Sequence, residues 1–409
     1  MVKYVSEKVR NHIPDDLAIP ILSKLPLKSL KRFGCVNKSW SVLFENPKFM
    51  VEFRNNFISI PHSYYNDTSL LLHQIVCNHN HTYISFYLHS LSGERLENKV
   101  KLDLPNPFQQ QEPGFYVLVS GSINGILCLY DRDTIVMWNP TIEEFKVIPP
   151  SRVESLPPYQ GIIKYLHGFG YDPFSDDYKI IRKVIFVPVT DDDDDDDDDI
   201  PPCDVKWKDM CENYEPFWEV YSLVYNSWRK VDLVLPTCCW EGGNRNDNLL
   251  YLDGMCHWLS NSYGEYNEEY LVSFDLADEI CFTTLIPTLM PLDIDPNNWV
   301  SHALVLLNGS IASILWYTNT FHISILGKVG VKESWTKIFV VGPLSDDIKF
   351  PIGAGKNGDI FFAKKEGREP ICFDLCTQMI EELDGVKGAY NSQIIIYKES
   401  LVSIGGKHH

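Results

Sequence analysis

No apolar stretch in the chain approaches the roughly 18 to 20 residues of a membrane-spanning helix, and the opening "MVKYVSEKVRNHIP" has no apolar run of signal-peptide length. Neither membrane insertion nor export is expected, so the Asn-x-Ser/Thr triplets at Asn37, Asn66, Asn80 and Asn308 carry little weight as glycosylation sites. Basic charge is scarce. The 36 Lys and Arg stand against 55 Asp and Glu, a formal net charge of −19, whereas a nucleic-acid binder needs clustered cations to neutralise phosphates. No Gly-rich phosphate loop, G-x-S-x-G elbow or C-x-x-C pair is recognised. The eleven cysteines are an odd number and fall mostly inside strand-like runs, such as "GILCLY" around Cys128 and "ICFDLC" around Cys372 and Cys376, which suits buried thiols in a reducing compartment rather than a disulfide framework. The cytoplasm, with or without the nucleus, is the expected location.

What is present divides in two. Pro14, Asp15 and Asp16 suit the first turn of a helix, and Leu17, Ile21, Leu22 and Leu25 follow at steps that predict one shared face. Pro20 has no N–H to give the carbonyl four residues back, so a kink or a late start is expected there. Pro26 ends that helix. A second, "LKSLKRF", turns Leu27, Leu30 and Phe33 inward, and a third, "VNKSWSVLFENPKF", carries Val36, Trp40, Leu43 and Phe44 at helical spacing before Pro47. Three short helices cannot bury a core of their own without staples, and no disulfide or metal pattern supplies one, so a partner is implied. Residues 1–53 carry a net +4, leaving −23 on the remainder.

With its landmarks in order, "IPDDLAIPILSKLPLKSLKRFGCVNKSWSVLFENPKF" resembles an F-box. The resemblance implies docking onto the Skp-family adaptor of a cullin–RING ubiquitin ligase. Pro14, Leu17, Ile21, Leu22, Leu25, Pro26, Leu30, Phe33, Val36 and Trp40 match the apolar positions that contact the adaptor or hold the three helices together. Pro20 departs from the usual aliphatic residue.

Beyond about residue 56 the period changes. "FYVLVSGSINGILCLYDRDTIVMWNPTIEEFKVIPP" reads as four strands, Phe115 to Ser120, Gly125 to Tyr130, Thr134 to Asn139 and Glu144 to Ile148. The grammar returns from "LLYLDGMCHWL", "ALVLLNGSIASI" and "PIGAGKNGDIFF", and more loosely from "HGFGYDPFSDDYKII". Self-similar four-strand units with a turn signal between the first two strands predict a β-propeller. "SQIIIYKESLVSI" at the C-terminus reads as the first two strands of a further unit and "YISFYLHSLSGERLENKVKLDLP" as the last two, so pairing the chain ends closes a sixth blade and removes the open edge. "SLLLHQIV" is unplaced and leaves a seventh blade open. The expectation is a mainly β chain, with a three-helix F-box module at 8–54 and a kelch-like propeller of about six blades at 56–409 that carries an acidic insertion at 190–215.

"VMWNPTIEEFKVIPP", "GFGYDPFSDDYKIIR", "VYSLVYNSWRKVD", "SFDLADEICF" and "YKESLVSI" resemble the F-box-associated interaction domain of plant F-box proteins, most of all the S-locus F-box group. The resemblance implies a non-catalytic substrate receptor of an SCF ligase, with a basic, ribonuclease-like protein as substrate in true S-locus members. An acidic body suits a basic partner.

Asp191 to Asp199 are nine consecutive aspartates, which repel one another and must be solvated. A tolerated insertion and an attractor of basic substrate, represented by Asp191, Asp195 and Asp199, are both open, and a calcium site lacks the turn such ions need. His79, His81 and His89 have no carboxylate or Cys at a ligating interval, with His81 and His89 on one strand face, and Cys372 and Cys376 share a strand face too far apart to chelate. No metal, cofactor or catalytic residue is expected. Trp138, Trp228, Trp258 and Trp335 recur at similar places in the units, as residues packed between neighbouring sheets would. The alternative function is a propeller enzyme of oxidase or glycosidase type, or a non-ligase scaffold with an incidental helical cap.

Overall fold

The computed structural model describes residues 13–52, 68–77, 84–109, 114–151, 160–188, 216–235, 249–261, 268–287, 300–383 and 391–404, apart from a few isolated positions within these spans. The chain divides into two compact units, Met1–Pro61 and His62–His409.

The first unit contains α1 (Asp15–Leu22), α2 (Leu27–Val36) and α3 (Lys38–Phe44). Its buried apolar side chains are Ala18, Ile19, Leu22, Leu30, Leu43 and Phe49, a small core for some forty residues.

The second unit is built of four-stranded antiparallel sheets. Its strands begin with β1 (Thr68–Cys77), β2 (Ile84–Ser92) and β3 (Asn98–Lys101). Next come β4 (Tyr116–Val117), β5 (Leu127–Tyr130), β6 (Ile135–Asn139) and β7 (Glu144–Val147), then β8 (Gln160–Asp172), β9 (Asp177–Pro188), β10 (Phe217–Ser222) and β11 (Ser227–Val231). They are followed by β12 (Leu250–Leu252), β13 (Met255–Asn261), β14 (Glu269–Asp275) and β15 (Cys281–Leu285), and by β16 (Ser301–Leu307), β17 (Ser310–Tyr317), β18 (Thr320–Leu326) and β19 (Trp335–Val341). β20 (Ile348–Ala354), β21 (Ile360–Lys364), β22 (Ile371–Phe373), β23 (Ile380–Glu382) and β24 (Asn391–Lys398) complete the chain. Each run of four from β4 to β23 is one sheet, and the remaining sheet has the order β24-β1-β2-β3, giving six blades.

The sixth blade corrects the expected closure. The C-terminus donates one strand, not two, and "SLLLHQIV" is not a spare blade but β1, paired to β24 from Thr68↔Lys398 to Ile75↔Asn391. The residues after β24 cross onto the next blade instead. Buried Asn139 donates to the carbonyls of Ser400 and Val402, both at 2.9 Å, the Ser403 hydroxyl donates to Glu144 at 2.9 Å, and Ile404 enters the core. Gly125 lies under this strap: at φ +82° a Cβ there would sit 2.3 Å from that of Ser400, so glycine serves both the turn and the close approach.

Why these sequences form blades is clearest at the turns. Asn124-Gly125, Asp253-Gly254 and Asn308-Gly309 each take positive φ at both residues, the two-residue hairpin geometry that matches strand twist. Third-to-fourth strand turns use another device. Asn139, Asp275 and Asp374 accept the N–H groups of Thr141, Ala277 and Cys376 at 3.0, 2.8 and 2.6 Å, and Glu143, Glu279 and Gln378, four residues on from each, then turn left-handed. Both classes of turn lie at one end of the ring, because antiparallel strands return their first-to-second and third-to-fourth connections to the same side. The second-to-third and blade-to-blade connections fall at the other end. The chain enters at Thr68 on the tight-turn end.

The β8–β11 blade holds a buried ion pair. Arg182 reaches Glu219 through Nε at 3.0 Å and Nη2 at 2.9 Å, both side chains being 3% exposed. Ser151 donates to the other carboxylate oxygen at 2.7 Å, and the guanidinium lies 3.9 Å from the Trp228 ring, so the charges enter the interior paired and hydrogen-bonded. Trp138, Trp258 and Trp335 are buried as expected, but on a third, a second and a fourth strand, so they do not occupy equivalent blade positions.

Candidate functional site

The helical unit presents the apolar surface that needs explaining. α1 begins where Pro14, without a side-chain cap, offers its carbonyl to the N–H of Leu17 at 3.0 Å and Ala18 at 2.9 Å, with Asp15 and Asp16 in the favourable first turn. Pro20 does not delay the helix; it lies inside it, on the exposed side. The end tightens as Ser23, Lys24 and Leu25 donate to Ile19, Ile21 and Leu22.

The single apolar face expected of α1 is in fact two. Ala18, Ile19 and Leu22 point into the core, while Leu17 and Ile21, one turn apart, are 58% and 63% exposed. Leu25 is half-buried, and Pro26 lies outside the described residues. In α2, Leu30 is buried, Phe33 is 38% exposed, and Val36, expected to open the third helix, instead ends the second at 85% exposure. Phe33 meets half-buried Trp40 of α3 edge-on at 5.6 Å, tying the two helices together. The structure thus brings Phe33 to Trp40 and sends Leu17, Ile21 and Val36 outward. Ile13 and Val42, at 51% and 70% exposure, join the outward set without having been singled out from sequence. These exposed apolar side chains make the helical unit the candidate interaction surface.

Elsewhere the chemistry expected to be absent has these surroundings. Among the described residues no three His, Cys, Asp or Glu side chains gather to hold a metal ion. His79, His81 and the aspartates Asp191, Asp195 and Asp199 lie outside the described residues. Cys372 is in β22, but Cys376 is exposed in the turn that follows, so the two do not share a strand face. Burial pushes both thiols up, away from the reactive thiolate. "GAGKNG" at Gly353 to Gly358 has the spacing of a dinucleotide loop, yet it joins β20 to β21 in a hairpin and leads into no helix that could receive a phosphate. Among the described residues no helix is long and apolar enough to cross a membrane.

Comparison with known proteins agrees with this architecture. The F-box domain family matches residues 11–52, and the family described as F-box associated beta propeller domain matches residues 72–404. F-box protein CPR1 of Arabidopsis thaliana is 25% identical over 343 residues, covering 80% of this chain and 73% of that one. F-box protein At3g07870 of the same plant is 25% identical over 364 residues, 85% of this chain and 78% of that one. At3g16210, also from Arabidopsis, is 31% identical over 170 residues, 41% of this chain and 40% of that one. The chain spans about two fifths of the length of that relative and of At1g47790, a further Arabidopsis sequence that it matches. Dipeptidyl peptidase 4 of Porphyromonas gingivalis is similar over 79% of this chain and 45% of that one, at 9% identity and a TM-score of 0.35. An F-box followed by a propeller that matches over most of the chain makes this a member of the plant F-box proteins with an F-box-associated β-propeller domain.

Proposed function

We propose that the chain is the substrate-recognition subunit of an SCF-type ubiquitin ligase, acting in the cytoplasm or nucleus. The helical unit docks a Skp-family adaptor, and through it cullin and RING subunits, while the propeller recruits a protein substrate for ubiquitination. The chain itself is non-catalytic. The observation that carries the reading is the outward apolar set Ile13, Leu17, Ile21, Val36 and Val42 on a unit that matches the F-box family. Pro14, Leu22, Leu25, Pro26, Leu30, Phe33 and Trp40 complete the proposed docking module, some by contact and the buried ones by holding the helices. Affinity capture of purified Skp-type adaptor by the full chain, compared with a chain lacking residues 1–53, tests it. Stable capture by the first and none by the second is expected, and equal capture by both would refute it.

The charge of −23 outside the first 53 residues supports a basic substrate surface, with Asp191 to Asp199 as a long-range attractor. Replacing that tract by a Gly/Ser linker of equal length should slow association with such a substrate and flatten its salt dependence. Equal on-rates and salt slopes would leave the tract a passive insertion.

A further inference from the structure

The β8–β11 blade carries the three most exposed large apolar side chains of the described ring, Phe174 at 89%, Tyr225 at 78% and Val224 at 61%. Phe174 is in the turn from β8 to β9 and the other two are in the turn from β10 to β11, so all three are at the tight-turn end. Other exposed apolar residues, such as Val100, Phe145, Phe282, Val340 and Ile380, are on fourth strands, where alternation turns one face outward. The two turns stand two strand spacings apart, about 10 Å.

Both turns are held from inside. Buried Asp172 accepts the N–H of Phe174 and the Lys179 ammonium, each at 2.9 Å, while Asp177, its cross-strand partner, accepts the N–H of Val224 at 2.9 Å and the Ser222 hydroxyl. Ser222 in turn accepts the N–H of Tyr225 at 3.2 Å. The apolar tips are thus presented on a fixed backbone, at little ordering cost to binding. Their surroundings are of one sign. The turns 140–143, 173–176, 223–226, 253–254 and 276–280, on this blade and the two beside it, contain Glu143, Asp176, Asp253, Asp278 and Glu279 and no Lys or Arg. Those blades meet here, where Asn124 donates to the Tyr178 hydroxyl at 3.0 Å and the Tyr251 hydroxyl to the Tyr171 carbonyl at 2.7 Å. Glu279 pairs with Arg229 of β11, and the other four carboxylates are exposed. Apolar tips among carboxylates complement an apolar side chain flanked by cations, and repel an acidic segment or a second copy of the same end.

We propose that these two turns are where the propeller takes hold of its protein substrate, and that the substrate engages them with a segment in which an aromatic or aliphatic side chain is flanked by Lys or Arg. Phe174, Val224 and Tyr225 cover the apolar side chain, and Asp176, Asp253 and Asp278 receive the cations. The proposal rests on the reading of the propeller as a substrate receptor and adds the surface and the chemistry it selects.

The experiment selects displayed random linear peptides on the full chain and counter-selects them on its Phe174→Ser, Tyr225→Ser variant. Surviving peptides are expected to combine an apolar residue with neighbouring Lys or Arg, and to bind the variant at least about tenfold more weakly, as loss of anchor contacts implies. No survivors, or survivors without that basic excess, overturn the proposal. Should the variant fail to fold, Asp176→Asn, Asp253→Asn, Asp278→Asn carries the comparison, with a several-fold weakening and a flatter salt dependence expected and undiminished binding counting against the proposal. Adaptor capture by the Phe174→Ser, Tyr225→Ser variant is measured alongside and should be unchanged. Failure of adaptor capture by the unaltered chain would remove the ligase reading, whereas failure of the selection alone would remove only this surface.

Discussion

Leu17, Ile21, Val36 and Val42 of the helical unit are 58, 63, 85 and 70% exposed, whereas in the propeller Ile181, Leu271, Phe274, Phe321 and Phe361 are fully buried. Both units are rich in aliphatic and aromatic side chains, yet one spends them on its own interior and the other holds a share of them outside. Burial of a leucine-sized side chain contributes about 1.5–3 kcal/mol, so the ring collects that stabilisation in folding and the exposed side chains of the helices forgo it. The ring also removes its sheet edges by closing on itself, while the helical unit has no comparable means of completing itself.

The comparison can be broken most severely at the closure. Deleting residues 391–409 removes β24 together with the strap that Asn139 holds, and leaves β1 an open edge whose Leu70, Leu71 and Leu72 lose their cover. Loss of a single cooperative transition in calorimetry, with association of the opened sheets, is expected. A truncated chain that melts as sharply as the full one would show that the ring does not depend on its closure.

Acid should act on the ring next. Burial lowers His73 and His257 to about 4 in the folded state, even though His73 retains a contact from Nε2 to the Phe115 carbonyl at 3.0 Å. Unfolded histidine titrates near 6.5, so between these values the unfolded chain binds more protons. The stability present above about pH 6.5 is therefore lost as the pH falls toward 4, by up to about 3 kcal/mol for each histidine. Urea midpoints at pH 7.5 and pH 5 measure it, and His73→Phe should reduce the difference.

A narrower lesion is Asn139→Ala, which leaves the Ser400 and Val402 carbonyls without their donor and should cost about 2–4 kcal/mol in denaturant unfolding of the ring. The smallest effect belongs to the other unit. Leu17→Asp with Ile21→Asp alters side chains that touch little, and should move the thermal midpoint by the equivalent of about 0.5 kcal/mol or less.

These two regions were also legible to different degrees. Asn124-Gly125, Asp253-Gly254 and Asn308-Gly309 announce their hairpins because few other residues accept positive φ twice in succession, and from them the blades can be spaced along the chain. Which strands pair at the closure is not written in the same way. β1 and β24 have the same alternating grammar as any first or second strand, and only the register between Thr68 and Lys398 reveals the split of one strand and three. In α1 the spacing of Leu17, Ile21 and Leu22 indicates a helix, but spacing alone does not say that Ala18 and Ile19 take the inside and Leu17 the outside.

The central claim is that the exposed apolar face of α1 serves association and not folding. The direct measurement is adaptor affinity and thermal midpoint for the same protein, full chain against the Leu17→Asp, Ile21→Asp variant. A loss of adaptor binding by a hundredfold or more with an unchanged midpoint is expected, in line with burial of about two leucine-sized side chains in the complex. Adaptor binding that survives both substitutions, or a midpoint that falls together with it, would contradict the assignment of that face to a partner.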